Sequence, residues 1–175
     1  LAERFQPEAE TAAELHELLK DAVVQARNIA RGIAPVHMDE AGLASGLEDL
    51  AAGTRRIQDI DCTFLPAGEV LVEDRETAIH LYRIAQEAIS NAVRHGQATK
   101  VVIRLALTET EVTLAIEDNG SGLAAPDQNS KGMGLRSMRY RASVLDGSFE
   151  LNPIAGGGTR VCCRVPLNKA QLHAN

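Results

Sequence analysis

A chain of 175 residues is long enough for one sizeable hydrophobic core, or for one core and an appendage. With 45% hydrophobic and 24% charged residues it has the make-up of an ordinary soluble globular protein, and its net charge of −6 argues against a general nucleic-acid binder. Aromatic residues at 3%, with no tryptophan, speak against a stacking platform for bases. The three cysteines, Cys62, Cys162 and Cys163, are odd in number and lack a CxxC spacing, which argues against a disulfide framework and a zinc site. They read as reduced core residues of a cytoplasmic domain. No apolar run approaches the ~20 residues of a membrane span, and these residues are not expected to include a signal peptide. The chain opens at Leu1 inside a helical pattern, so it reads as a piece of a longer protein, with room for a membrane anchor elsewhere in the parent.

In chain order, residues 10–33 predict a long helix. Leu15, Leu19, Ala22, Ala26, Ile29 and Ile33 alternate four and three apart, a coiled-coil-like seam that expects a partner helix. Gly32 and Pro35 end it. A shorter helix fits Gly42 to Arg55, and "CTFL" at 62–65 fits a strand. Residues 74–95 predict the next helix, with Ile79, Tyr82, Ile89 and Val93 facing a core and Gly96 as its stop. The period then changes to two. Val101, Ile103, Leu105 and Leu107, then Val112, Leu114 and Ile116, predict a hairpin across "TETE", which lacks the strongest turn signal. Residues 120–132 are a Gly-, Ser- and Pro-containing loop. A helix follows, with Leu135, Met138, Ala142 and Leu145 on one face and Gly147 at its end. "SFEL" and "TRVCCRVPL" close the chain as strands, with Val161, Cys163 and Val165 inward. These elements predict an α+β fold from about residue 41 to 168, a two-layer sandwich whose helices cover one face of a mixed, mainly antiparallel sheet.

Four polar clusters lie along this domain. Glu87, Asn91 and His95 are spaced i, i+4, i+8, with Arg94 beside them. A carboxylate and an amide oxygen one turn apart suit a hard cation such as Mg²⁺; a solvated helix face has the same pattern. Asp118, at the end of a strand, precedes Gly120 and Gly122. A fixed acid there can accept from an amino group such as that of a purine, while the glycines let backbone approach a flat ligand; a plain turn reads identically. Lys131, Gly132 and Gly134 open a helix, where free N–H groups attract phosphate, although glycines also start helices for structural reasons. "GGGT", ending at Thr159, is a wide turn or a place of close backbone approach.

Taken in order, "QEAISNAVRH", "DNGSG", "GMGL" and "GGGT" resemble the N box and the three glycine boxes of the GHKL (Bergerat) ATP-binding fold. That fold is shared by sensor histidine kinases, gyrase-type topoisomerases, a heat-shock chaperone family and MutL. "LYRIAQEAISNAVRHGQATKV" and "GMGLRSMRYRASVLDGSFEL" resemble the sensor kinases that pair with response regulators carrying a LuxR-type DNA-binding domain. "ARNIARGIAPV" followed by "GLASGLEDLA" resembles the link from their dimerisation domain into the catalytic domain.

The resemblance implies that residues 1–40 are the second helix of a dimerisation and phosphotransfer domain plus a linker, and that 41–175 are the catalytic domain. It implies ATP and Mg²⁺ as cofactors, a homodimer in the full-length protein, a response-regulator partner, and no direct nucleic-acid binding. Residue by residue, Asp118 would accept from the exocyclic amino group of adenine, and Gly120 and Gly122 would shape its pocket and the start of a lid running to about Lys131. Asn91 would hold Mg²⁺, and Glu87 would be the catalytic acid or base. Arg94 or His95 would reach the phosphates, as would Lys131 and the backbone at Gly132, Gly134 and Leu135. Thr159 would sit near adenine.

"ELHELLK" superficially resembles the family's phosphoacceptor motif, but only about 15 residues, ~22 Å of helix, separate His16 from Arg31. The family places a helix, a turn and most of a second helix in that interval, so the acceptor is expected upstream of Leu1. His37, His80 and His173 read as bystanders. The competing functions are a serine kinase of the anti-sigma-factor type, a stand-alone hydrolase, and a nucleotide-sensing interaction module without transfer chemistry.

Overall fold

A computed structural model of the chain describes residues 42–122 and 133–167. The helix expected at 10–33, the loop from 123 on, Lys131 and Gly132 lie outside the described residues. The elements are α1 (Gly42–Gln58), β1 (Asp61–Ala67), α2 (Arg75–Arg94), β2 (Lys100–Leu107), β3 (Glu111–Asp118), α3 (Met133–Val144), β4 (Ser148–Pro153) and β5 (Thr159–Pro166). The five strands form one sheet in the order β1-β2-β3-β5-β4. β1 and β2 run parallel, as a strand–helix–strand crossover through α2 requires, and every other neighbouring pair is antiparallel. The expected α+β sandwich with a mixed, mainly antiparallel sheet is therefore present.

The period-two runs place Val101, Ile103 and Leu105, Val112, Leu114 and Ile116, and Val161, Cys163 and Val165 on one sheet face, all buried. Leu43 and Leu47 of α1, Leu81 and Ile84 of α2, and Met138 of α3 close over them in one core. At the hairpin, the Thr108 hydroxyl oxygen accepts from the Thr110 and Glu111 amides at 3.3 and 3.1 Å. A threonine thus supplies the turn chemistry that an Asn-Gly pair would give elsewhere.

One expectation needs refining, and one burial has a cause that only the sheet shows. On α2, Ile89 lies in the core as expected and Tyr82 and Val93 pack half-buried against it, but Ile79 is half-buried outside it. The buried stripe is carried largely by Ala78, Ala85, Ala88 and Ala92 with Leu81 and Ile84. Small side chains let a helix approach its neighbours closely, so weighting bulky residues rotates the stripe the wrong way. On β5, Cys162 faces away from the helices yet is only 2% exposed. It pairs with Ala115 on the outer face, which carries the ion pairs Arg104–Glu117, Arg160–Glu117 and Arg164–Glu150. The apolar stems of these long side chains cover the two small ones. All three cysteines are free and buried. Burial pushes the thiol pKa of Cys62 up to about 11 and that of Cys163 to about 12, which keeps both protonated and inert at neutral pH. Among the described residues no helix is long and apolar enough to cross a membrane.

Candidate functional site

Asp118 is the last residue of β3 and sits on the helix-covered face, with Val101 as its registered partner on β2. The β3–β5 pairing ends at Glu117 and Arg160, so one step further Asp118 stands beside Thr159, the first residue of β5. Both side chains are half-buried. The Gly120 amide donates to Asp118 Oδ1 at 2.8 Å and fixes the carboxylate against its own turn. An ionised carboxylate has several lone-pair sites, so this bond leaves acceptor capacity for a donor from outside.

The glycines around this acid serve the protein's own backbone. A Cβ on Gly120 would strike the Gly96 carbonyl, and one on Gly158 would strike the carbonyl of Asp118 itself. A Cβ on Gly122 would come within 3.2 Å of the Gly158 carbonyl oxygen. The turns at 118–122 and 156–158 are thus pressed together backbone to backbone. Close approach was expected, but the partner is the second turn as well as any ligand.

Asn119 joins a third segment to them. Its Oδ1 accepts from the Thr99 and Lys100 amides at 3.0 and 2.8 Å, and its Nδ2 donates to Thr99 Oγ1 at 2.9 Å. The Ser121 amide donates to the Gly96 carbonyl at 2.7 Å. Gly96 follows directly on the end of α2, where its amide and that of His95 donate to the Asn91 carbonyl. The Asp118 turn is therefore built onto the C-terminal end of α2. Sequence reasoning singled out the acid and the glycines of "DNGSG" and missed Asn119. Its signal was an Asn between a strand end and a glycine, where such side chains bond to nearby backbone.

α2 starts where Asp74 caps it, the carboxylate accepting from the Thr77 amide at 2.8 Å. Its polar face carries Glu87 and Asn91, both half-buried. Against them lies Gly134, at the start of α3. A Cβ there would fall on the Glu87 carboxylate and lie 3.4 Å from Asn91 Nδ2. The acid, the amide and the helix-opening glycine, remote in sequence, are thus brought together. Arg94 and His95 are exposed at the end of α2, and Leu135 packs half-buried against the core. One to two turns before Glu87, the half-buried His80 has a buried Nδ1 with no partner among the described residues and Nε2 3.9 Å from Glu76 Oε1. Burial first, then the positive charge of Arg141, lowers its pKa and favours the neutral ring.

The arrangement offers a fixed acceptor at the end of β3 and two oxygen-bearing side chains facing a helix start. No group of three or more His, Cys, Asp or Glu among the described residues could hold a metal ion by itself. A hard cation at Glu87 and Asn91 would complete its shell with water and the oxygens of a ligand, as Mg²⁺ does on phosphates. A purine nucleotide polyphosphate fits this donor set, with the amino group of its base at Asp118.

Known proteins are similar to this chain. The family model described as "Histidine kinase-, DNA gyrase B-, and HSP90-like ATPase" matches residues 76–169, more than half of the chain. "Sensor protein VraS" of Staphylococcus saprophyticus is 32% identical over 167 residues, 92% of this chain and 46% of the relative. That of Staphylococcus aureus strain COL is 30% identical over 161 residues, 89% of this chain and 44% of the relative. The chain thus spans less than half the length of these curated relatives. Among solved structures, the ATP binding domain of PrrB from Mycobacterium tuberculosis superposes with a TM-score of 0.60 at 29% identity, over 70% of this chain and 92% of that one. A histidine kinase domain of a blue-light activated kinase from Erythrobacter litoralis shares the fold, with a TM-score of 0.60 at 21% identity over 72% of this chain and 61% of that one. With the glycine turns, the acid at the end of β3 and the polar face of α2 all within the matched residues, the chain belongs to the histidine kinase-, DNA gyrase B- and HSP90-like ATPase family.

Proposed function

We propose that this chain is the ATP-binding catalytic part of a sensor histidine kinase, which phosphorylates a histidine on its own dimerisation helix for transfer to a response regulator. The observation that carries this reading is the placement of Gly134 against both Glu87 and Asn91. It sets the helix start that would hold phosphates beside a candidate acid or base and a candidate metal ligand.

When bound, ATP supplies the phosphoryl group and Mg²⁺ spreads the charge of its phosphates. Asp118 accepts from the amino group of adenine, with Gly120 and Gly122 fixing the turn and Thr159 beside it. Asn91 holds the cation through its side-chain oxygen. The backbone at Gly132, Gly134 and Leu135 would contact the phosphates, with Lys131, Arg94 and His95 contributing positive charge or donors. Glu87 orients or deprotonates the attacking histidine. Such catalysis is mostly positioning and charge stabilisation.

In the same reading, residues 1–40 belong to a dimerisation domain and 41–175 form the catalytic domain, on the cytoplasmic side of a homodimeric parent that a membrane anchor can hold. The partner is a regulator with a LuxR-type DNA-binding domain, a choice supported by the wording of "LYRIAQEAISNAVRHGQATKV". The second reading is a nucleotide-sensing module without transfer; the Glu87–Asn91 pair disfavours it, since binding a nucleotide does not by itself require an acid or base. With γ-labelled ATP and Mg²⁺ the chain alone is expected to remain unlabelled, while the full-length parent acquires acid-labile phosphohistidine. A full-length protein that binds ATP and takes no label would favour the sensing module.

A further inference from the structure

We propose that Asn119 is a positioning residue for base recognition, setting the preference for a 6-amino purine by holding Asp118 in register with the start of β2, the segment that follows α2. The inference rests on Asp118 being the base acceptor. Four hydrogen bonds tie Asn119 to the segment that follows α2: three through its side chain, and one from its own amide to the Lys100 carbonyl at 3.2 Å. Both lone-pair directions of Oδ1 are used by consecutive backbone amides. Asn119 is exposed, so water would satisfy its amide group equally well; what these bonds add is geometry.

That geometry has two ends. Immediately before Asn119, Asp118 presents its carboxylate on the helix-covered face. Immediately after it, Gly120 is seated against the Gly96 carbonyl and Ser121 donates to that same oxygen. Gly96 in turn donates to the Asn91 carbonyl at 3.1 Å. A bonded path therefore runs from the turn that Asn119 anchors, through Ser121 and Gly96, to the backbone carbonyl of Asn91. A hydrogen bond weakens steeply as its distance and angle depart from the optimum, so a small shift of the 118–121 turn is felt at the 6-position of the base. It is felt less at the phosphates, which other elements contact.

The test compares ATP with inosine triphosphate, which carries an oxo group in place of the 6-amino group, in calorimetric titrations of the chain with Mg²⁺. The unaltered chain is expected to favour ATP by about tenfold or more, the worth of one hydrogen bond to a charged group. Asn119→Leu, which fills similar volume without an acceptor, is expected to reduce that ratio to near unity. Asn119→Asp, whose carboxylate oxygen accepts from the same two amides, is expected to keep it. Should the leucine variant fail to fold, Asn119→Ser, too short to reach both amides, takes its place. A folded leucine or serine variant that keeps the full preference overturns the proposal, as does an aspartate variant as deficient as leucine. If the unaltered chain binds both nucleotides equally, the role of Asp118 fails first, and that of Asn119 with it.

Discussion

Glu87→Gln in the full-length protein is expected to lower phosphohistidine formation by about 10²–10⁴-fold, with the affinity for a non-hydrolysable ATP analogue held within a few-fold. That range is the usual contribution of a positioned acid or base, about 3–5 kcal/mol of activation free energy. The change is nearly isosteric, and Glu87 lies on the helix face away from the buried stripe of α2, so the fold has no reason to respond. Gly134→Ala reaches the same carboxylate from the other side. Its Cβ would occupy the place of the Glu87 side chain, so either the acid rotates away or α3 withdraws. This variant is expected to lose transfer to a similar extent and to bind the analogue more weakly as well, because the helix start that faces the phosphates moves with it. Full activity in Glu87→Gln would remove the acid from the mechanism. Full activity in Gly134→Ala would mean that the contact between the two has no part in it.

Gly158→Ala is expected to destabilise the domain by about 2–4 kcal/mol and to abolish nucleotide binding. Two costs coincide there. The φ of Gly158 is +96°, outside the range of an alanine, and the added Cβ would overlap the Asp118 carbonyl. Relief requires the 118–122 turn to part from the 156–158 turn, which carries Asp118 out of place. Gly156 provides the control. Its φ is +92°, yet a Cβ there meets nothing within 4 Å. Gly156→Ala should therefore show backbone strain alone, roughly 1–2 kcal/mol, with binding retained. Chemical denaturation beside analogue titration separates the two variants. Equal effects would mean that the packing of turn on turn contributes nothing beyond strain.

Periodicity carried most of the architecture because burial alternates on β2 and, apart from Ala115 and Cys162, on β3 and β5. A mixed, mainly antiparallel sheet was expected, but which strands pair in parallel, β1 with β2, was not legible. What periodicity could not show was the buried alanine stripe of α2, whose small side chains give a weak apolar signal. Nor could it show Cys162, hidden by charged neighbours that belong to other strands. The site was legible as residue types. Asp118, Glu87, Asn91 and Gly134 each stood out, and the boxes in order carried the family resemblance. The relations among them were not legible. That Gly158 is pressed on Asp118, or that Asn119 ties its turn to Thr99 and Lys100, depends on which segments meet in space, and those segments are about 20 to 40 residues apart in the chain.

The central claim is that Asp118 and its surroundings form an ATP pocket. Calorimetric titration of this chain with a non-hydrolysable ATP analogue, with and without Mg²⁺ and beside Asp118→Asn, tests it most directly. Asparagine keeps an oxygen for the Gly120 amide, so the turn can survive, but it removes the charged acceptor. The account predicts saturable binding that Mg²⁺ strengthens and that the substitution weakens by about 10–100-fold, the loss of a hydrogen bond to a charged group. No binding with or without Mg²⁺, or binding that Asp118→Asn leaves unchanged, would contradict it.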